Sequence, residues 1–195
     1  MILGITGISG SGKHTAAAFF QQKNWVVFDV DAIAHYLYRP YTHVWKAITQ
    51  RFGESILNRD DVINRAKLAQ IVFNETDPAG SERALTDMNA IVHPAIKRAL
   101  KEKIHSHFQR QSNIVIVAAL WKEIDLLKLC DKVLLVAADP ETARKRIQSR
   151  DGISENHYRF RVLHQSVPDR SDFTVRNDGT LSEFYRTLAG LPLNG

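Results

Sequence analysis

The sequence predicts an α/β fold of three layers, with a mostly parallel sheet between helices and a helical insertion. Two observations carry this expectation. Short, β-rich apolar runs alternate with helical patterns, and each run is nearly continuous in apolar character, as strands covered on both faces are. A glycine-rich segment separates the first run from the first helical pattern, which is a strand, loop, helix start.

Residues 2–6 (ILGIT) are apolar and run into glycines, and residues 15–22 are alanine-rich and suit a helix. Residues 25–30 (WVVFDV) form a second β-rich run, residues 114–117 and 133–136 a third and fourth, and residues 173–175 a last short one. Between the second and third runs lies a long helical section, from residue 44 to about 109, punctuated by Gly53, Pro78 and Gly80. In it Leu85, Met88, Val92, Ile96, Ala99, Leu100, Ile104 and Phe108 recur at intervals of three and four, which makes one amphipathic face. Asp139-Pro140-Glu141 places a capping carboxylate, a first-turn proline and an acidic residue in order, so a helix is expected to start there. It carries Arg146 and Arg150 on one face, one turn apart.

The chain has 195 residues, 44% hydrophobic and 24% charged, values ordinary for a globular protein and unlike a disordered one. One domain is expected, residues 1–195, with a core of about 1–40 and 110–195 and the helical insertion at about 41–109. The apolar opening lacks a basic leader and falls far short of the roughly 20 apolar residues that span a bilayer, so neither secretion nor membrane insertion is expected. Cys130 is the only cysteine, which excludes an intramolecular disulfide or a cysteine-based zinc cluster and suits a reducing cytoplasm. A net charge of +5 suits a polyanionic ligand. The basic residues are scattered, with the densest group at Arg144, Lys145, Arg146 and Arg150, and no basic run is interleaved with aromatics, so no nucleic-acid partner is expected.

Gly7-Ile8-Ser9-Gly10-Ser11-Gly12-Lys13 fits the first seven places of the phosphate loop Gly-x-x-x-x-Gly-Lys-Ser/Thr. That chemistry needs glycines, because the backbone must wrap closely enough for successive N–H groups to point at phosphate oxygens. Lys13 would then reach the β- and γ-phosphates of ATP, and the start of the following helix adds its positive end. An incidental glycine turn between strand and helix is the alternative. The eighth place departs from the pattern: it holds His14, with Thr15 next, where a hydroxyl normally binds Mg²⁺. Magnesium prefers oxygen ligands, and Thr15 sits about 100° further round the helix. Three readings stay open: water fills the place, Thr15 helps through a shifted helix start, or phosphoryl transfer is weak or lost.

Four further segments matter with the loop: residues 28–35 (FDVDAIAH), Val92-His93-Pro94, residues 119–123 (ALWKE), and Asn177-Asp178-Gly179. In this order the chain resembles the dephospho-coenzyme A kinase family of P-loop kinases, whose segments there read Asp-Ala-Asp-x-Ile-Ala-Arg, Leu-His-Pro, Pro-Leu-Leu-Phe-Glu and Asn-x-Gly. The resemblance spans nearly the whole length. It implies a P-loop NTPase fold in which the insertion binds substrate, and a short helical lid at about residues 146–168 that includes Arg159 and Arg161. It implies ATP-dependent phosphorylation of the ribose 3′-hydroxyl of dephospho-coenzyme A, with Mg²⁺, by a cytoplasmic monomer or weak homo-oligomer. It implies Asp31 as general base and metal ligand, and Asp29, Asp31, His93 and Leu120 as acceptor contacts. ATP would meet Gly7, Gly10, Ser11, Gly12, Lys13, His14, Thr15, the lid cations Arg146 and Arg150, and Asn177 and Gly179 near its adenine.

Read from the residues alone, Asp29 and Asp31 end a predicted strand with a spacing of two, so both carboxylates would point to one side at its carboxyl edge, where α/β proteins bind ligands. The alternative is that Asp31 caps a helix beginning at Ala32. His93-Pro94 reads equally as a packed histidine ahead of a helix whose first turn holds the proline. Ala119 and Lys122 depart from the family's segment. Another P-loop nucleoside or nucleotide kinase, or a catalytically weak nucleotide-binding homologue, are the alternatives to the coenzyme.

Overall fold

The structure is a computed structural model that describes residues 1–74, 76–108, 112–119, 121, 124–155, 158–159, 162, 165, 167–168 and 170–193. In chain order its elements are β1 (Ile2–Thr6), α1 (Lys13–Gln22), β2 (Val26–Asp29), α2 (Val30–Leu37), α3 (His43–Phe52), α4 (Arg65–Val72), α5 (Pro78–Phe108), β3 (Ile114–Val117), β4 (Lys132–Ala137), α6 (Pro140–Asp151), β5 (Phe173–Arg176) and α7 (Leu181–Ala189). They form two compact units. One comprises Met1–Asp29 with Ile104–Gly195, and the other is Val30–Lys103.

The first unit is built on a five-stranded sheet of order β2-β3-β1-β4-β5, parallel at every pairing. All five residues of β1 are buried, which fits its place in the middle of the sheet. On one face Leu3, Ile5, Val115, Val117, Leu134 and Val136 pack with Ala16, Phe19 and Phe20 of α1 and with Phe184 and Leu188 of α7. This is the layered α/β architecture that the apolar runs predict, with each run buried because helices cover it.

Two boundaries differ from the sequence reading. Helix α1 starts at Lys13, so His14 and Thr15 both lie in its first turn. Strand β2 stops at Asp29, and Val30 opens α2. Asp31 is therefore a first-turn helical residue, neither the end of a strand nor the cap of a helix beginning at Ala32. The reason is visible in the spacing: Val30, Ile33, Ala34 and Leu37 repeat at helical intervals, and Val30 and Ile33 are buried.

The second unit is helical. Thr42 caps α3 by accepting the Trp45 N–H at 3.1 Å, and Asn64 caps α4 through Ala66 and Lys67. The long helix α5 opens at Pro78, with the Asp77 carboxylate accepting the Gly80 N–H at 2.9 Å. Its buried stripe is Ala84, Val92, Ile96 and Leu100. His93 and Pro94 sit inside this helix, so the expected helix start at Pro94 is corrected to Pro78. Pro94 cannot donate to the Ala90 carbonyl, but both residues are exposed and water can satisfy that oxygen. Among the described residues no helix is long and apolar enough to cross a membrane.

Candidate active site

The loop from Gly7 to Gly12 joins β1, the central strand, to α1, and so it lies at the carboxyl edge of the sheet. Gly12 is the residue before α1 and has φ 97°, a left-handed conformation that a side chain would strain. Among the described residues no side chain caps the helix there, which leaves its start suited to an anion. A Cβ on Gly12 would stand 2.1 Å from Asn177 Nδ2, and one on Gly10 would stand 2.1 Å from the Ala143 carbonyl oxygen of α6. The glycines thus serve two ends: they allow the loop's curvature and let neighbouring elements close against it.

Those neighbours tie the loop down. Asn177, only 8% exposed, donates from Nδ2 to the Ser11 carbonyl at 2.8 Å. Arg146 donates from Nη1 to the Asn177 carbonyl at 2.9 Å, with a longer contact of 3.5 Å to the Gly10 carbonyl. The Gln165 amide accepts the Ser9 N–H at 2.7 Å and donates to Ser9 Oγ at 2.6 Å. Inside the loop the Ser11 N–H is taken by the Ile8 carbonyl at 3.1 Å. Among the described residues two buried hydroxyls at this edge, Thr6 Oγ1 and Ser11 Oγ, have no hydrogen-bond partner. Buried hydroxyls left this way are costly, and a ligand with phosphate oxygens would offer them acceptors. Lys13 is 5% exposed, a burial that an ammonium tolerates only near compensating groups.

Beside the loop, His14 Nε2 and Asp29 Oδ2 are 3.2 Å apart. The other expected residues are distributed as follows. Thr15 shares the first turn of α1 with His14. Gly7 lies where β1 leaves the sheet, with φ 149°. Gly179 is exposed in the turn that leads to the Thr180 cap of α7. Asp31 and His93 belong to the helical unit, in the first turn of α2 and partly buried within α5. Leu120, Lys122, Glu123 and Arg161 lie outside the described residues.

The two arginines expected in the lid part company. Arg146 turns to the loop, whereas Arg150 is exposed and bound to Asp151 at 2.7 and 3.1 Å. Arg144 is held by Glu141 and Glu155, and Glu155 also accepts from Arg159 at 3.0 Å. The Glu155 carboxyl sits below its ordinary pKa, held there by the hydrogen bonds from Arg144 and then Arg159.

Sequence reasoning missed Gln165, because no local pattern marks a side chain that reaches 156 positions back to Ser9. It placed Asn177 near an adenine, and the structure gives that side chain a tie to Ser11. It also passed over Arg65, whose Nη1 lies 2.7 Å from His35 Nε2 in the helical unit. Nearby, burial pushes the Tyr38 phenol up to about 12, against the opposing pull of Arg65.

The sequence profile of the family described as dephospho-CoA kinase matches residues 1–183. The chain belongs to the dephospho-CoA kinase family. A dephospho-CoA kinase from Lactobacillus acidophilus is 33% identical over 196 residues, covering 97% of this chain and 94% of the relative. One from Geobacillus kaustophilus is likewise 33% identical over 196 residues, covering 98% and 94%. A crystallised protein of Thermus thermophilus has a TM-score of 0.80 at 28% identity, over 100% of this chain and 98% of its own. The dephospho-CoA kinase of Campylobacter jejuni has a TM-score of 0.68 at 20% identity, over 96% and 93%, and adds the shared fold.

As a member of the dephospho-CoA kinase family, the chain has the P-loop kinase fold with its parallel sheet. His14, at the eighth place of the loop, is a first-turn residue facing a carboxylate. His35 stands where the family's segment ends in arginine, and Arg65 of α4 brings a guanidinium to it from elsewhere in the helical unit.

Proposed function

We propose that the chain transfers the γ-phosphoryl group of ATP to the ribose 3′-hydroxyl of dephospho-coenzyme A, giving coenzyme A and ADP. The observation that carries this is the loop: a glycine-capped helix start at the sheet's carboxyl edge, with buried hydroxyls at Thr6 and Ser11 that have no partner among the described residues, in a chain of this family. Such a loop holds a nucleotide's phosphates through backbone N–H groups, and Lys13 adds a cation at its end. Asn177, Arg146 and Gln165 keep the loop in shape before ATP arrives, so little has to be reorganised on binding.

The acceptor hydroxyl must lose a proton as it attacks phosphorus, and Asp31 is the group we assign to orient it and take that proton. His93 and Leu120 are assigned to the acceptor's side, while Asp29 stands beside His14 at the loop. Magnesium, which the family pairs with ATP, fits this chain poorly at the loop's eighth place, because His14 offers an imidazole where Mg²⁺ takes oxygen. A cytoplasmic location belongs to the same reading, and the free Cys130 thiol suits it.

The test is ADP release by the purified protein with ATP, a divalent cation and dephospho-coenzyme A, compared with a panel of nucleoside and nucleotide acceptors. Turnover confined to dephospho-coenzyme A supports the reading. Turnover with another acceptor alone, or with none, overturns it.

A further inference from the structure

His14 is half exposed, and its Nε2 faces Asp29 Oδ2 at 3.2 Å, with the two side chains 49% and 32% exposed. An exposed polar contact of this kind contributes at most about 1 kcal/mol, too little to explain an imidazole at the one loop position whose ordinary task is to bind a metal. The spacing suggests another role. Two donors on neighbouring corners of an octahedral cation, at bonds of about 2.1 Å and about 90° between them, stand about 3.0 Å apart. His14 and Asp29 are already near that separation, close enough to share one ion.

Both donors are also carried by fixed elements. His14 is in the first turn of α1, whose buried face is Ala16, Ala17, Phe19 and Phe20. Asp29 closes β2 in register with Val117 of β3. The pair is thus held by packing and sheet pairing, as a preorganised ligand set must be. Its chemistry is one nitrogen and one oxygen. Magnesium dehydrates reluctantly and prefers oxygen throughout, whereas first-row transition dications accept imidazole readily.

We propose that His14 Nε2 and Asp29 form a binding site for a first-row transition dication that accompanies the nucleotide, and that Mg²⁺ is the poorer occupant. The pair supplies two ligands and leaves the other corners to phosphate oxygens and water. This deepens the kinase reading and rests on it only for the nucleotide's place.

The test uses the full chain saturated with a non-hydrolysable ATP analogue, titrated separately with Co²⁺, Mn²⁺ and Mg²⁺ by calorimetry, as wild type and as His14→Ser. Wild type should bind Co²⁺ and Mn²⁺ more tightly than Mg²⁺. His14→Ser should weaken Co²⁺ by about 10-fold or more, the scale at which even outer-shell changes are felt at metal sites, while Mg²⁺ binding holds or improves. Pulsed electron paramagnetic resonance of the wild-type Mn²⁺ complex should show coupling to an imidazole nitrogen that His14→Ser abolishes. Equal changes for all three cations, or no nitrogen coupling in the wild type, overturn the proposal and leave the kinase reading standing. An analogue that does not bind at all overturns both.

Discussion

Gln165 and Ser9 are joined twice: the Ser9 N–H donates to Gln165 Oε1 at 2.7 Å, and Gln165 Nε2 donates to Ser9 Oγ at 2.6 Å. The pair fixes the third residue of the phosphate loop from a segment far along the chain. Each bond contributes about 0.5–1.5 kcal/mol net, so Gln165→Ala is expected to lower ATP affinity by about 10-fold, read by calorimetric titration. An unchanged affinity would show that the loop keeps its shape without Gln165.

Asn177 holds the loop by its other end. Removing the amide in Asn177→Ala leaves the Ser11 carbonyl without its donor in a buried place, at a cost of about 1–3 kcal/mol. Urea denaturation should show that loss. Asn177→Asp, which keeps the size but not the N–H, should show it too, and a variant Asp as stable as wild type would mean that packing, not the hydrogen bond, makes the tie.

Asp31→Asn is expected to slow turnover by about 10²–10⁴-fold while ATP affinity is unchanged, because the amide cannot take the acceptor's proton. Single-turnover rates and nucleotide titrations separate the two effects. A loss of only a few-fold would reduce Asp31 to a positioning role.

The turn after β5 carries a pH signature. Asp178 accepts the Asp139 N–H at 2.6 Å and pairs with Arg176 at 2.7 Å. The Asp139 amide, and then Arg176, hold its carboxyl below the ordinary value of 3.8. Since the folded carboxyl is the more acidic one, its contribution is present above the unfolded value and is lost as pH falls through the lowered folded value. Asp178→Asn should therefore lose less melting temperature than wild type between pH 7 and pH 3. Parallel pH profiles of the two proteins would refute this.

What could be read in the sequence was what is local. The first, third, fourth and last strand runs and the Asp139-Pro140 helix start each depend on residues close together in the chain, and they stand within a residue of where they were expected. Asp77-Pro78 carries the same signature as Asp139-Pro140, and it, not His93-Pro94, opens α5. Asp31 was misplaced because a β-rich run and a helical repeat overlap at Val30, and burial of Val30 and Ile33 decides for the helix. The loop's ties through Gln165, Asn177 and Arg146 were illegible, since each joins residues that only the fold makes neighbours.

The central place of β1 also governs how the chain can be assembled during synthesis. Ile2 pairs with Ile114 and Leu3 with Lys132, so neither edge of this strand has a partner until those far later residues have been made. At about 5–20 residues per second that is a wait of roughly 5–20 s, during which residues 30–103 can close into their own compact unit. A fully buried strand that is made so long before either of its partners is the segment a nascent-chain chaperone would have reason to hold.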